Sequence, residues 1–301
     1  MKKIFAILTA TAIFLAGCAG GSAPAANEDV IRVSSKDFTE QLILGQIAIK
    51  ALEANGITAI DMTNIAGTEN VRAALDTGEV DLYREYTGTG WMMILGQELI
   101  PGETPTQLFE RVRDMDAPNG IVWLDYAPLN NTYALAITSE MSQTHSIRSL
   151  SDLAAHVTAT GEQLVLATEH EFLVRHDGLP GMVEAYNFPD FDVRTMLMGI
   201  VYSTIADGQA DVIVVHATDG RIPYHNLVVL EDDLYFFPIY SPAPTVRAEA
   251  LERFPQLPEI FAPISARLTD EVAQRLNFLV DSGEMEPDEV AEYWLSSEGL
   301  I

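Results

Sequence analysis

Cysteine occurs once in these 301 residues, at Cys18. Beyond it the chain has no disulfide, no thiolate nucleophile and no cysteine metal ligand. Lysine is almost as scarce, with only Lys2, Lys3, Lys36 and Lys50. Lysine and arginine number 17 against 44 acidic residues, for a net charge of -27. Such a surface argues against nucleic acid and anionic lipid as partners, and it steers cations inward. The overall charge itself reads as solubility in a saline habitat. Membrane-spanning runs are missing, because the apolar stretch Ile4 to Leu15 is only about a dozen residues and a bilayer needs about 20. Catalytic signatures are missing too. The chain has no His-Glu-x-x-His, no Gly-x-Ser-x-Gly, no P-loop and no Gly-x-Gly-x-x-Gly. Its six histidines form no close metal pair, and Glu169-His170-Glu171 reads as a solvated loop. No enzyme, cofactor or metal is expected.

What is present begins with an address. Lys2 and Lys3, the apolar run, and Leu15-Ala16-Gly17-Cys18 follow the order of a secretory signal peptide at 1–17. Small residues before a single cysteine resemble the bacterial lipoprotein box, which implies lipidation of Cys18. Residues 18–28 are small and rich in Pro and Gly, as in a flexible tether. About 270 residues remain, which suits two lobes better than one core.

From residue 30 the chain alternates strand and helix patterns, the mark of an α/β fold with mostly parallel sheets. Strands are expected at 30–34, 57–65, 80–83, 121–124, 133–137, 163–167, 211–215 and 227–230, with a short aromatic strand at 236–239. Helices are expected at 38–55, 69–77, 90–95, 106–115, 150–155, 181–186, 195–207, 247–253, 259–262, 269–282 and 287–296. One pattern recurs: Asp76-Thr-Gly-Glu-Val-Asp81 and Asp207-Gly-Gln-Ala-Asp211 each pass from a helix end through a Gly stop to an acid that opens a strand. Two such lobes leave a cleft, where small ligands bind.

Several residues stand where that cleft would be. In Asp81-Leu-Tyr-Arg-Glu-Tyr-Thr-Gly-Thr-Gly90 a strand runs into a Thr/Gly turn that opens a helix. Thr87, Thr89 and the helix amides there make an anion site, with Tyr86 beside it. Lys36 follows a strand, where open α/β sheets bind ligands. Arg175 lies in a turn-rich loop and suits a carboxylate. Tyr133, Tyr240 and His216 stand at strand–loop junctions, where several π faces around one point would hold a quaternary ammonium ion.

Taken together, Ser35 to Gln41, Asp81 to Thr89, Ala127 to Leu135, Arg175 to Gly181, Thr218 to Ile222, Glu231 to Asp233 and Phe236 to Tyr240 resemble the substrate-binding proteins of osmoprotectant ABC importers. The resemblance covers nearly all of 30–301. It implies a two-lobed, type II periplasmic-binding-protein clamp with lobe 1 formed by 29–133 plus 239–301 and lobe 2 by 134–238. It implies a cation cage of Tyr86, Tyr133 and Tyr240, with His216 in place of a fourth tyrosine. Lys36, Thr89 and Arg175, with Gln41 as a further polar candidate, match positions that hold a betaine carboxylate. The implied ligand is glycine betaine or a related betaine. Choline, carnitine, ergothioneine or another small amine or sulfonium solute is the alternative, as is a ligand-presenting sensor. The implied partners are that solute, an ABC permease, and the membrane through the lipid anchor alone. The implied protein is an exported, monomeric lipoprotein facing the periplasm or cell exterior.

Overall fold

A computed structural model describes residues 30–100 and 102–301. The expected signal peptide, Cys18 and the tether lie outside the described residues.

Among the described residues ten strands form two sheets. They are β1 (Val30–Ser34), β2 (Thr58–Met62), β3 (Leu82–Tyr86), β4 (Ile121–Trp123), β5 (Tyr133–Thr138), β6 (Val165–Thr168), β7 (Asp192–Thr195), β8 (Val212–His216), β9 (Leu227–Val229) and β10 (Pro242–Arg247). The first sheet has the order β2-β1-β3-β10-β4 and the second β7-β6-β8-β5-β9. Each keeps a parallel trio and adds one antiparallel strand that pairs on both sides, β10 in the first sheet and β5 in the second. The two lobes therefore share one topology without sharing a sequence period. The chain crosses from the first sheet to the second at 124–132 and returns at 230–241.

The recurring acidic turn has a structural meaning. Gly78 and Gly208 take the left-handed backbone, at φ 78° and 68°, and end their helices. Asp81 N–H then donates to Arg32 O at 2.8 Å, and the Asp81 carboxylate accepts from Arg32 N–H at 2.9 Å. Asp211 repeats both bonds with Val165, at 3.0 and 2.8 Å. In each lobe the acid thus holds the start of one parallel strand against its neighbour.

Alternation along the strands sends apolar side chains to both faces, as expected of sheets covered twice by helices. Val212 and Val214 enter one cluster of the second lobe, with Leu135 and Ile137. Ile213 and Val215 enter the opposite one, with Ala134 and Ala136. In the first lobe the helix Thr39–Ala54 buries Ile43, Leu44, Ile47, Ala51 and Leu52 against the C-terminal helices Asp270–Asp281 and Pro287–Ser297. Helix starts follow local chemistry. Thr104 with Gln107, Ser149 with Asp152, and Glu286 with Glu289 all form reciprocal capping boxes.

The aromatic segment 236–239 is not a strand. The strand instead follows it as β10, which carries Pro242 and Pro244 between β3 and β4. Prolines are tolerated there because both turn the side that lacks N–H toward 124–127, where only their carbonyls are used, by Ala127 and Leu124. The expected loop around Glu169-His170-Glu171 runs into a short helix, His170–Val174.

Candidate ligand-binding site

A cavity of about 1070 Å³ lies where residues of both sheets meet, at the upper end of the range of small-molecule sites. Tyr86 ends β3, Tyr133 opens β5, His216 ends β8, and Tyr240 lies on the segment returning to β10. The rings of Tyr86, Phe38, His216, Tyr133 and Tyr240 follow one another around its wall. Successive centroids are 6.2, 5.5, 4.9 and 5.8 Å apart. Phe38 is the ring that sequence reading passed over. It stacks between Tyr86 and His216, and only its place directly after Lys36-Asp37 hinted at it.

Each tyrosine hydroxyl is tied to its own carboxylate. Tyr86 donates to Glu40 at 2.7 Å, Tyr133 to Glu169 at 3.2 Å and Tyr240 to Asp177 at 2.5 Å. Burial, reinforced by these carboxylates, pushes all three phenols well above their ordinary pKa. They stay neutral donors, and a phenol donating to an anion keeps its ring electron-rich. Such rings attract a cation at roughly 0.5–2 kcal/mol each. His216 Nε2 lies 3.8 Å from Glu169 Oε1, while its buried Nδ1 has no partner among the described residues.

Glu40 is buried and accepts four bonds. Besides Tyr86 these come from Asn131 at 2.7 Å, Thr218 at 2.6 Å and Asn277 at 3.1 Å. The donors come from three distant parts of the chain: the first crossing, the turn after β8 and a C-terminal helix. Glu40 therefore fastens the second lobe to the first beneath the cage.

The basic residues are brought to the same cavity, but each is already engaged. Lys36 Nζ donates to buried Glu85 at 2.7 Å and to Thr68 at 3.0 Å. Arg175 grips Asp177 with Nε and Nη2 at 2.7 and 2.5 Å, reaches Glu171 at 3.0 Å and touches Thr89 Oγ1 at 3.5 Å. One of three Lys36 N–H groups and one of five on Arg175 are left over among the described residues. Burial would push the Glu171 carboxyl up, but Lys36, Arg175 and the hydrogen bonds from Thr68 and Arg175 outweigh it, so it sits below the usual carboxylate range. The expected solvated cluster thus supplies two cavity-lining acids, Glu171 on the short helix and Glu169 at its N-cap. Among the described residues no group of three His, Cys, Asp or Glu is placed to hold a metal.

Two polar candidates stand apart. Gln41 does not line the cavity. It is fully buried, accepts from Lys36 N–H at 3.2 Å and donates to Arg84 O at 2.8 Å, so it orders the loop that carries Lys36. Thr87 likewise faces structure, since its hydroxyl donates to Ile239 O and accepts from Ser241 N–H. Thr89 alone of that turn reaches the cavity.

A family model described as the substrate-binding domain of ABC-type glycine betaine transport systems matches residues 29–297. The chain belongs to this family. A relative from Pseudomonas aeruginosa, named glycine-betaine-binding protein, is 36% identical over 94% of this chain and 93% of its own length. The glycine betaine-binding protein YehZ of Escherichia coli is 31% identical over 89% of this chain and 90% of its own. A solved structure described as a glycine betaine/carnitine/choline ABC transporter superimposes with a TM-score of 0.75 at 26% identity, covering 90% of this chain and 99% of that one. This member of the family therefore has the expected two-lobed type II binding-protein fold, and both of these relatives are named as binding proteins.

Proposed function

We propose that the protein captures a small quaternary-amine solute and hands it to an ABC permease. The observation that carries this reading is the ring wall with its carboxylate backing. Tyr86, Tyr133 and Tyr240 each present a neutral, electron-rich face, closed by Phe38 and His216. Seven carboxyl groups (Asp37, Glu40, Glu69, Glu169, Glu171, Asp219 and Asp281) line the cavity with three cations, Lys36, Arg175 and Arg221. That excess favours a solute with a cationic head, and the relatives' names point to glycine betaine and its kin. Thr89, with the remaining N–H groups of Lys36 and Arg175, is available for a ligand carboxylate. Capture needs no covalent step, only closure of lobe 2 (134–238) on lobe 1 (29–133 plus 239–301). Lipidation of Cys18 after removal of 1–17 would hold a monomeric clamp outside the cytoplasm beside its permease.

Titration calorimetry of ligand-stripped protein with glycine betaine, proline betaine, carnitine and choline tests the reading. Saturable heat from at least one is expected, and silence from all four would refute it.

A further inference from the structure

The niche that would receive a ligand carboxylate already contains one. Glu171 Oε1 accepts from Thr68 Oγ1 at 2.9 Å and from Arg175 Nη1 at 3.0 Å. Thr68 Oγ1 in turn accepts from Lys36 Nζ at 3.0 Å. The acid therefore lies between the two cations, joined to one directly and to the other through a single hydroxyl. It is 30% exposed and lines the cavity, unlike Glu85, which is fully buried behind Lys36. Lys36 and Thr68 belong to the first lobe and Glu171 and Arg175 to the second, so the niche forms only where the lobes meet.

We infer that Glu171 is a specificity-determining residue: its side chain stands in for a ligand carboxylate and sets how the site divides zwitterions from simple cations. The inference rests on the quaternary-amine reading above. A betaine that brings its own carboxylate must meet a like charge at Lys36 and Arg175 or push Glu171 aside. Choline brings only a hydroxyl, which can donate to Glu171 where it stands. Thr68 and Arg175 would otherwise welcome the betaine. The wild-type site is accordingly shifted toward the cation by the protein's own acid.

The test is calorimetry with glycine betaine and choline on the wild-type protein and on Glu171→Gln. Neutralising the acid is expected to raise the ratio of betaine to choline affinity by about tenfold, the equivalent of about 1.4 kcal/mol. The gain should come mostly from tighter betaine binding. Glu171→Asp, whose shorter side chain withdraws from Thr68 and Arg175, should move the ratio in the same direction and serves if the glutamine variant fails to fold. Wild-type binding of either solute with an unchanged ratio in both variants overturns the role of Glu171 and leaves the quaternary-amine reading standing. Absence of heat from the wild type with both of these solutes and with carnitine and proline betaine overturns both.

Discussion

Removing the carboxylate of Glu40 tests whether the cage and the junction of the lobes are one structure. Glu40 is 4% exposed and accepts from Tyr86, Asn131, Thr218 and Asn277. A hydrogen bond to a charged group contributes about 1.5–3 kcal/mol, and a buried donor left unpaired costs about 1–3 kcal/mol. In Glu40→Ala all four donors lose this acceptor, but Asn277 Nδ2 keeps Thr218 O at 2.9 Å and Asn131 Nδ2 keeps the Tyr86 hydroxyl at 3.3 Å, and the vacated side-chain volume admits water for the rest. With about half the loss recovered in that way, the net cost is about 3–6 kcal/mol, or roughly 6–24 °C in melting temperature at about 2–4 °C per kcal/mol. Glu40→Gln keeps the shape but accepts at one end only. Its amide must then point donors either at Tyr86 and Asn131 or at Thr218 and Asn277, so it should lose about half as much. Melting curves of the two variants, followed by near-ultraviolet dichroism of the tyrosines, measure this. A fall of less than about 3 °C for Glu40→Ala would refute the reasoning. It would mean that water replaces the carboxylate fully and that the junction does not depend on it.

Arg84 is buried on β3 with a single bond to Ser265 at 3.2 Å, and its Nε and Nη2 find no partner among the described residues. Burial pushes its pKa down to about 10, so it is charged and poorly compensated at neutral pH. Arg84→Met should raise stability by about 1–4 kcal/mol in urea unfolding, and a loss would show hidden compensation. A Cβ on Gly88 would stand 2.9 Å from Ile239 O and 2.9 Å from the Tyr240 ring. Gly88→Ala should therefore displace that wall and weaken quaternary-amine binding about tenfold by calorimetry, with unchanged affinity counting against Tyr240 as a cage ring. Burial pushes the Asp116 carboxyl up, but its bidentate pair with Arg72 and bonds from Trp123 and Asn119 outweigh this and hold it low. Its stabilisation is complete above the unfolded carboxylate value and is lost as pH falls through the lower folded value. Asp116→Asn should flatten the acid limb of a stability–pH profile below about pH 4, and a parallel profile would contradict this.

Most of the fold was legible because its signals are local. Helix starts at Ser149 and Glu286-Pro287 are capping chemistry contained within four residues. Gly78 and Gly208 ended helices where a left-handed residue was required. The strand expected at 80–83 lies at 82–86, because Asp81 is spent on the main chain of Arg32 before pairing begins. β10 was hidden by its prolines. Their acceptability depends on which edge faces a departing strand, and that is fixed by partners more than a hundred residues away.

The site was legible in its rings and cations and illegible in its acids, for one physical reason. An exposed carboxylate in a chain with 44 of them carries no signal of its own, whereas a lysine in a chain with four does. What makes Glu40, Glu169, Glu171 and Asp177 different is their placement beside particular donors, and on Glu40 alone the sequence separations are 91 to Asn131, 178 to Thr218 and 237 to Asn277. The same acids change how the basic residues are read. Lys36 and Arg175 as isolated letters point to an anion. Paired with Glu85, Asp177 and Glu171 they offer an anion two leftover N–H groups beside one competing carboxylate. A cation offered to the same cavity meets three backed tyrosines, whose rings Lys36 and Arg175 already approach at 5.4, 5.5 and 5.8 Å, and those two cations are themselves held by their carboxylates. Discrimination between a betaine and a simple ammonium is thus decided less by the residues that contact the ligand than by the carboxylates that have already claimed them.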